Sequence, residues 1–442
     1  MIDVLFTLLI ATSAGLFAGL MPGIGSSAIM LSSLPLLYIL PPELCIFYYA
    51  LAVQSSQFSG SVSALNFGMM GELTSYPALV ERKYILNNNL QQTALKFTAI
   101  GSILSCVVPI LCLYPLLEWF KQHSLIMRTD FTFFILLVII FFCILYKKNS
   151  KKINLFLVSI GIILSQIGLR SQGSAEREFL TFGQPFMYGG IPMISVLGGL
   201  IAIPLIMQYM NWQEEISYTY KSKEKKDINF PVWSSIRGGL IGLFTGLLPA
   251  IGTQIGSNLA WRIEKIFYSK NNDKSVLSRL TSAESANNGS QITVLVPLLI
   301  LGIAIVPSEM ILLSIIDTKS WIPGQSSWTL LGFGFYPWLM ITLIMSSFIC
   351  YLVCSVFVNL ISKWLKDKLK FINKICILIM SLSVFYAGYL VEAKTFFMLS
   401  FLTLSLIGIK FKKIDFIPLI AGYFIGDILI DTIVILSFIY EL

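Results

Sequence analysis

Gly242-Leu-Phe-Thr-Gly246-Leu-Leu-Pro249-Ala-Ile-Gly252 decides how this chain folds, because it occurs twice. Its twin is Gly15-Leu-Phe-Ala-Gly19-Leu-Met-Pro22-Gly-Ile-Gly25, earlier by a constant 227 residues (Gly15 to Gly242, Gly25 to Gly252). Eight of the eleven aligned positions are identical, in a pattern too mixed to be generic hydrophobicity. An internal repeat dictates the architecture before any other signal. Here it predicts two halves, each opening with an apolar segment broken by proline and glycine.

Outside these stretches the chain is a membrane sequence. Of its 442 residues 56% are hydrophobic and only 12% charged, against about 25% charged in soluble chains. Apolar runs near the ~20 residues that cross a bilayer recur along the whole length. The net charge of +8 sits in short clusters between those runs, as the positive-inside bias produces, so nucleic acid is not the expected partner. The seven Cys are scattered singly and lack metal-ligand spacing. With a single His, His123, triads and His-based metal sites are nearly excluded. No nucleophile–base pair or phosphate loop is present, and the chain is not expected to be an enzyme.

No Lys or Arg precedes Arg82, which places the N-terminus and the first loop (35–47) outside. Spans are expected at about 94–117, 131–146, 153–168 and 187–210, and in the second half at about 330–361, 375–391, 396–409 and 417–440. A linker over 211–233, with Lys221, Lys223, Lys225 and Lys226, falls in the cytoplasm and separates a first repeat (1–210) from a second (234–442). About 15 residues precede Pro249 in the second half, some 22 Å of helix, short of a ~30 Å core. That favours a re-entrant hairpin. The segment after the second hairpin, 262–279, carries Arg262, Lys265, Lys270, Lys274 and Arg279, while its counterpart 35–52 carries no basic residue. The copies therefore lie on opposite sides of the membrane, an inverted-topology repeat. The expected fold is an all-α polytopic membrane protein of about 10–14 segments, each repeat beginning with a Pro/Gly-broken hairpin.

Broken helices expose unpaired N–H groups at one end and unpaired carbonyls at the other, which attract an anion and a coupling cation respectively. Pro22, Gly23, Gly25, Pro249 and Gly252 form the two tips, and Ser26 and Thr253 open the second arms. Gly15, Gly19, Gly242 and Gly246 read instead as a small-residue packing seam. Two polar inserts accompany the hairpins. One runs from Gln54 to Ser61 and includes Ser59, Gly60 and Ser61; the other is Asn287-Asn288, whose amides suit both an alkali cation and a carboxylate. A sodium ion is expected near Gly25, Gly252 and Asn287, with a proton as the alternative coupling ion. Glu284 reads equally as a solvated helix start or a cation ligand, and Glu72, Asp427 and Asp431 receive no role.

Four stretches resemble the large membrane subunit of tripartite tricarboxylate transporters: the opening Gly15 to Gly25; Tyr48-Tyr49 with Phe58-Ser-Gly60-Ser61-Val-Ser63-Ala64; the mid-chain block on to Glu264-Lys265; and Ala283-Glu284-Ser-Ala-Asn287-Asn288 leading to Val296-Pro297-Leu298-Leu299 and Leu301-Gly302-Ile303. The resemblance implies a multi-pass subunit of the inner cell membrane that moves a small organic anion such as citrate, driven by a sodium or proton gradient. It also implies a periplasmic binding protein and a small four-span membrane subunit as partners. The chain departs from the family's Pro-Gly-Glu turn at Met70-Gly71-Glu72, from its Pro-Gly-Ser turn at Ala304-Ile305-Val306, and from its usual Gly at Ala250. Two other readings compete: a translocator of lipid-linked phosphate, and an assembly subunit dead for transport.

Overall fold

The computed structural model describes residues 2–21, 25–68, 72–122, 125–145, 149–172, 175–203, 207, 228–248, 252–268, 272–319, 321, 335–389, 394–411 and 413–439. Pro22, Gly23, Pro249, His123 and most of the central linker lie outside the described residues.

The fold is all-α but for one short hairpin. The N-terminal half runs α1 (Ile2–Leu20), α2 (Ser26–Ser32), α3 (Leu34–Ile39), α4 (Pro42–Phe67), a single 3₁₀ turn (Leu73–Ser75), α5 (Tyr76–Asn87), α6 (Gln91–Gln122), α7 (Leu125–Leu145) and α8 (Lys151–Ser165). Antiparallel strands β1 (Gly168–Gln172) and β2 (Ala175–Phe179) follow, paired Gly168 to Phe179 and Gln172 to Ala175. Then comes α9 (Met193–Leu197), continued by a π-helical turn (Gly198–Ala202). The C-terminal half runs α10 (Val232–Thr245), α11 (Gly252–Phe267), α12 (Asp273–Thr293), α13 (Leu295–Leu301), α14 (Pro307–Asp317), α15 (Phe335–Tyr389), α16 (Lys394–Lys410) and α17 (Ile417–Ile439).

Four stretches are long and apolar enough to cross a membrane among the described residues: Asp3–Leu20, Gln91–Leu111, Phe335–Val356 and Ile417–Ser437. The other helices are shorter, broken or more polar. α1 and α10 differ in reach. The 19 residues of α1 extend about 28 Å, close to core depth, whereas the 14 of α10 extend about 21 Å.

One expectation needs correction. The segments 330–361 and 375–391 were to be separate spans, yet α15 is one continuous helix of 55 residues. The basic stretch between them (Lys363, Lys366, Lys368, Lys370, Lys374) reads as a loop by charge. It holds no Gly or Pro, and Lys and Leu are good helix formers, so nothing stops the helix. In the N-terminal half the matching stretch is divided into α6 and α7.

Packing displays the repeat. α4 packs on α15 as α12 packs on α6; α1 meets α15 as α10 meets α6; α2 meets α14 as α11 meets α5; and α8 pairs with α17 as α16 pairs with α9. Each half thus leans on helices of the other. The equivalent helices α4 and α12 lie together and run in opposite directions. Near the start of α4, Tyr49 meets Gln291 close to the end of α12; near the end of α4, Ser61 meets Glu284. Opposed equivalents are the mark of an inverted repeat.

The four glycines serve as the packing seam. A Cβ on Gly15 would lie 2.2 Å from the Ala52 carbonyl oxygen, and one on Gly242 2.5 Å from that of Ala286. On Gly19 it would lie 2.1 Å from the Ser56 oxygen, and on Gly246 2.5 Å from that of Ser290. These contacts pair position 52 with 286 and 56 with 290, an offset of 234 rather than 227. Seven extra residues therefore separate hairpin from central helix in the second half. At the new offset Gly68 falls on Gly302, and both are left-handed, with φ of 74° and 73°. Only glycine enters that region without strain, so α4 and the central helix of the second half, taken as α12 continued through Val294 into α13, end at the same point.

Candidate functional site

The middle of the molecule is a polar helix in an apolar chain. α12 reads Asp-Lys-Ser-Val-Leu-Ser-Arg-Leu-Thr-Ser-Ala-Glu-Ser-Ala-Asn-Asn-Gly-Ser-Gln-Ile-Thr, and every residue from Ser275 to Thr293 is buried. α4 buries Gln54, Ser55, Ser56, Gln57, Ser59 and Ser61 in the same way. Such side chains persist at membrane depth only against protein or a wet cavity.

Where α4 crosses α12, the Ser61 hydroxyl donates to Glu284 Oε2 at 2.6 Å and the Asn288 amide donates to Glu284 Oε1 at 3.0 Å. Glu284 is 3% exposed, so its reading as a solvated helix start is overturned. It stands 11 residues past Asp273 in the 21-residue α12, well beyond the helix entry. Asn288 Nδ2 also donates to Ser102 Oγ at 2.9 Å, and the repeat-equivalent Gln54 Nε2 donates to Ser347 Oγ at 2.8 Å. Each amide therefore binds a serine on the long helix of the opposite repeat. Their carbonyl oxygens, Gln54 Oε1 and Asn288 Oδ1, have no partner among the described residues, nor has either side-chain polar atom of Asn287. A buried polar atom left unmatched costs about 1–3 kcal/mol. Native structures hold few, and each calls for an explanation.

The two hairpins come together at one short segment. The backbone N–H of Ser26, at the start of α2, donates to Glu72 Oε1 at 2.6 Å. Gln57 Nε2 donates to Glu72 Oε2, and the Thr74 hydroxyl donates to Gln57 Oε1 at 2.6 Å. From the other side, Ser257 Oγ on α11 donates to the Thr74 carbonyl at 2.8 Å. Residues 72–75 thus tie the second arms of both hairpins together, beside the α4–α12 seam.

The expected site residues divide into groups. Ser26, Ser61 and Asn288 join the network through Glu72 and Glu284. Asn287 lies in the same stretch of α12, fully buried. Ser59 and Gly60 serve the contact with α1, where a Gly19 Cβ would come 2.1 Å from Ser59 Oγ and 2.8 Å from Gly60 N. Gly25 has space, its absent Cβ being 3.6 Å from Glu72 Oε1; Gly252 is pressed against the Thr245 carbonyl, with 2.1 Å for a Cβ. Thr253 is half-buried in the first turn of α11. Pro22, Gly23 and Pro249 fall outside the described residues. Asp427, left without a role, accepts from Gln166 Nε2 at 2.9 Å in the α8–α17 contact.

Sequence reading passed over Thr74, Gln291 and Glu309; it held Gln57 only within the Gln54–Ser61 insert and Tyr49 only within a family-like stretch. One signal was available: Ser56-Gln57 recurs as Ser290-Gln291, 234 residues on.

The profile of the tripartite tricarboxylate transporter TctA family matches residues 5–421, nearly the whole chain. The chain belongs to this family. It is also similar to an uncharacterized 52.8 kDa protein of the TAR-I ttuC' 3' region of Agrobacterium vitis, 25% identical over 323 residues. That match covers 70% of this TctA-family chain and 63% of the relative. No solved structure matches. Membership sets the chain among proteins named for tripartite tricarboxylate transport, and the match spans less than two thirds of the relative's length.

Two ion pairs hold the TctA-family fold beside the seam. Glu81 on α5 accepts from Arg279 Nε at 2.7 Å and Nη2 at 3.0 Å, and from Trp261 Nε1 at 2.8 Å. It clamps α5 to α11 and α12. Glu264 accepts from Arg237 and from Ser234 Oγ, clamping α11 to α10.

Proposed function

We propose that this chain is the large membrane subunit of a secondary transporter for a small organic anion of the di- or tricarboxylate class, in the inner membrane. The observation that carries the reading is the junction of two interrupted helices at residues 72–75, linked through Ser61 to Glu284 on the helix that also carries Asn287 and its unmatched amide. Helix starts and neutral amide donors suit a carboxylate; amide carbonyls suit an alkali cation. Pro22, Gly23, Gly25, Ser26, Pro249, Gly252 and Thr253 frame the anion, Ser61, Asn287 and Asn288 complete its surroundings, and sodium or a proton is the coupling ion. A periplasmic binding protein delivers the anion and a small four-span subunit accompanies the chain. Residues 1–210 and 234–442 form the two repeats, joined by a cytoplasmic linker at 211–233.

The test is uptake of labelled citrate and succinate into proteoliposomes holding the full chain with its binding protein and small subunit. A sodium or pH gradient drives uptake, and Asn287→Ala abolishes it while the variant elutes as folded protein. Uptake indifferent to both gradients refutes the reading.

One observation favours the alternative of a lipid-linked phosphate. An open cleft of about 490 Å³ between α5, α11 and α12 is lined by Lys83, Lys265 and Arg279. Arg279 is committed to Glu81, which leaves two lysines for a headgroup. Flipping of a labelled polyprenyl phosphate in the same vesicles, lost in Lys83→Gln/Lys265→Gln, decides for it.

A further inference from the structure

We propose that Glu309 holds a coupling sodium ion of its own, distinct from the seam at Asn287; this rests on the cation-coupled reading above. After α13 the chain leaves the helix at Gly302 and crosses the interior extended, with Ile303, Ala304, Ile305 and Val306 all buried, before α14 begins. Glu309 stands in the first turn of α14 and is completely buried. Its Oε2 accepts from the Ile305 N–H at 3.0 Å. That capping bond accounts for one oxygen. The other, Oε1, has no partner among the described residues.

The surroundings supply oxygen. Ser308 Oγ and Tyr49 Oη lie 3.3 Å apart, and Gln291 Nε2 donates to Tyr49 Oη at 3.1 Å. Ser308 directly precedes Glu309 in the first turn of α14, so this hydroxyl pair lies at the same helix start. The same helix position serves an acid in both halves: Gln57 reaches Glu72, and Gln291 reaches the hydroxyl beside Glu309.

Four glutamates are buried below one-tenth exposure: Glu81, Glu264, Glu284 and Glu309. Arginine neutralises the first two. Glu284 has Ser61 and Asn288 as side-chain donors. Glu309 has only backbone N–H donors, from Ile305 and Val306, and no side-chain donor among the described residues. A buried carboxylate requires a counter-charge or a coordinated ion. One carboxylate with neutral hydroxyl and carbonyl oxygens is a hard, singly charged donor set, which suits an alkali ion and not a divalent one.

The consequence is a stoichiometry of at least two cations per anion. The experiment measures ²²Na⁺ bound per purified full-length chain, together with the sodium dependence of uptake in the reconstituted system. Glu309→Gln keeps an acceptor for the Ile305 N–H, so the cap survives. It is expected to lower bound sodium by one per chain and to change sigmoidal sodium dependence to hyperbolic, with anion binding retained. Tyr49→Phe is expected to weaken sodium affinity about tenfold without changing the count. Equal sodium counts for wild type and Glu309→Gln overturn the site while leaving coupled transport standing. Uptake driven by a pH gradient with no bound sodium in the wild type also overturns it. Uptake driven by no gradient defeats the broader reading instead. If Glu309→Gln fails to fold, the Tyr49→Phe affinity decides.

Discussion

The two halves of this molecule share a skeleton but distribute their chemistry unequally. In both, a glycine-seamed first helix lies along a polar central helix, which ends at a left-handed glycine. In both, the central helix reaches across to a serine on the other half's long helix. The acids break the symmetry. Glu72 in the first half binds the start of its own hairpin's second arm. The second half has Val306 at the matching position and carries its carboxylates elsewhere, at Glu284 and Glu309. A duplicated scaffold therefore fixes where backbone is exposed, and side chains that differ between copies decide what each end binds.

The largest expected effect concerns the ion pairs, of which Glu81–Arg279 bridges the two halves and Arg237–Glu264 lies within the second. Arg279 and Glu81 are 4% and 8% exposed at their side chains, whereas Arg237 is 30% exposed. Removing one partner of a fully buried pair costs about 3–5 kcal/mol, because the other charge is left alone. Arg279→Met should therefore lower the melting temperature sharply in detergent, and Arg237→Met clearly less. The double variant Glu81→Met/Arg279→Met should recover much of the loss. Equal shifts for the two single variants would break the account of which clamp is buried.

The hairpin tips give the next effect. Gly252→Ala places a Cβ 2.1 Å from the Thr245 carbonyl. Backbone must move to accept it, at about 1–3 kcal/mol, measured as lost thermal stability and reduced yield of monodisperse protein.

A structural effect no larger than this, with a large functional one, is expected at the paired amides. Gln54→Leu removes one bond to serine and one unmatched oxygen, for about 1 kcal/mol or less, whereas Asn288→Leu also takes a donor from the Glu284 carboxylate, at about 1.5–3 kcal/mol. Both should fold. If the unmatched oxygens serve transport, both lose uptake; if only the half with Glu284 binds cation, Asn288→Leu alone does. That difference sharpens the comparison of the halves more than any stability measurement.

The hairpin repeat was legible in sequence because close helix contact is residue-specific. Any side chain at Gly15, Gly19, Gly242 or Gly246 collides with a facing carbonyl, so identity survived there as a readable signal. The central helices were less legible. The seven-residue insertion shifts their register, and the surviving identities (Ala52/Ala286, Ser56/Ser290, Gln57/Gln291, Val62/Val296, Leu65/Leu299 and Gly68/Gly302) are too scattered and mostly too common in type to stand out. Asn287 and Asn288 could be picked out as polar residues in an apolar setting. Glu309 could not. Its place beside Tyr49 depends on how α4 and α14 pack, 260 residues apart in chain order. Charge misled at α15, where lysines signal a loop to the eye and the backbone finds no breaker.

Gly25→Ala is the smallest expected effect and the most discriminating. Gly25 sits at φ −80° and ψ 177°, extended backbone open to any residue, and its added methyl would meet Glu72 Oε1 at an ordinary 3.6 Å. Stability should change by no more than about 0.5 kcal/mol. The methyl nevertheless sits against the carboxylate that binds the Ser26 N–H. An anion that approaches that backbone end should bind more weakly, with KM raised and the cation dependence unchanged. Gly252→Ala, its equivalent, should act through folding instead. If both alanine variants behave alike, by folding or by binding, the two tips do the same job and the asymmetry argued from Glu72 is wrong.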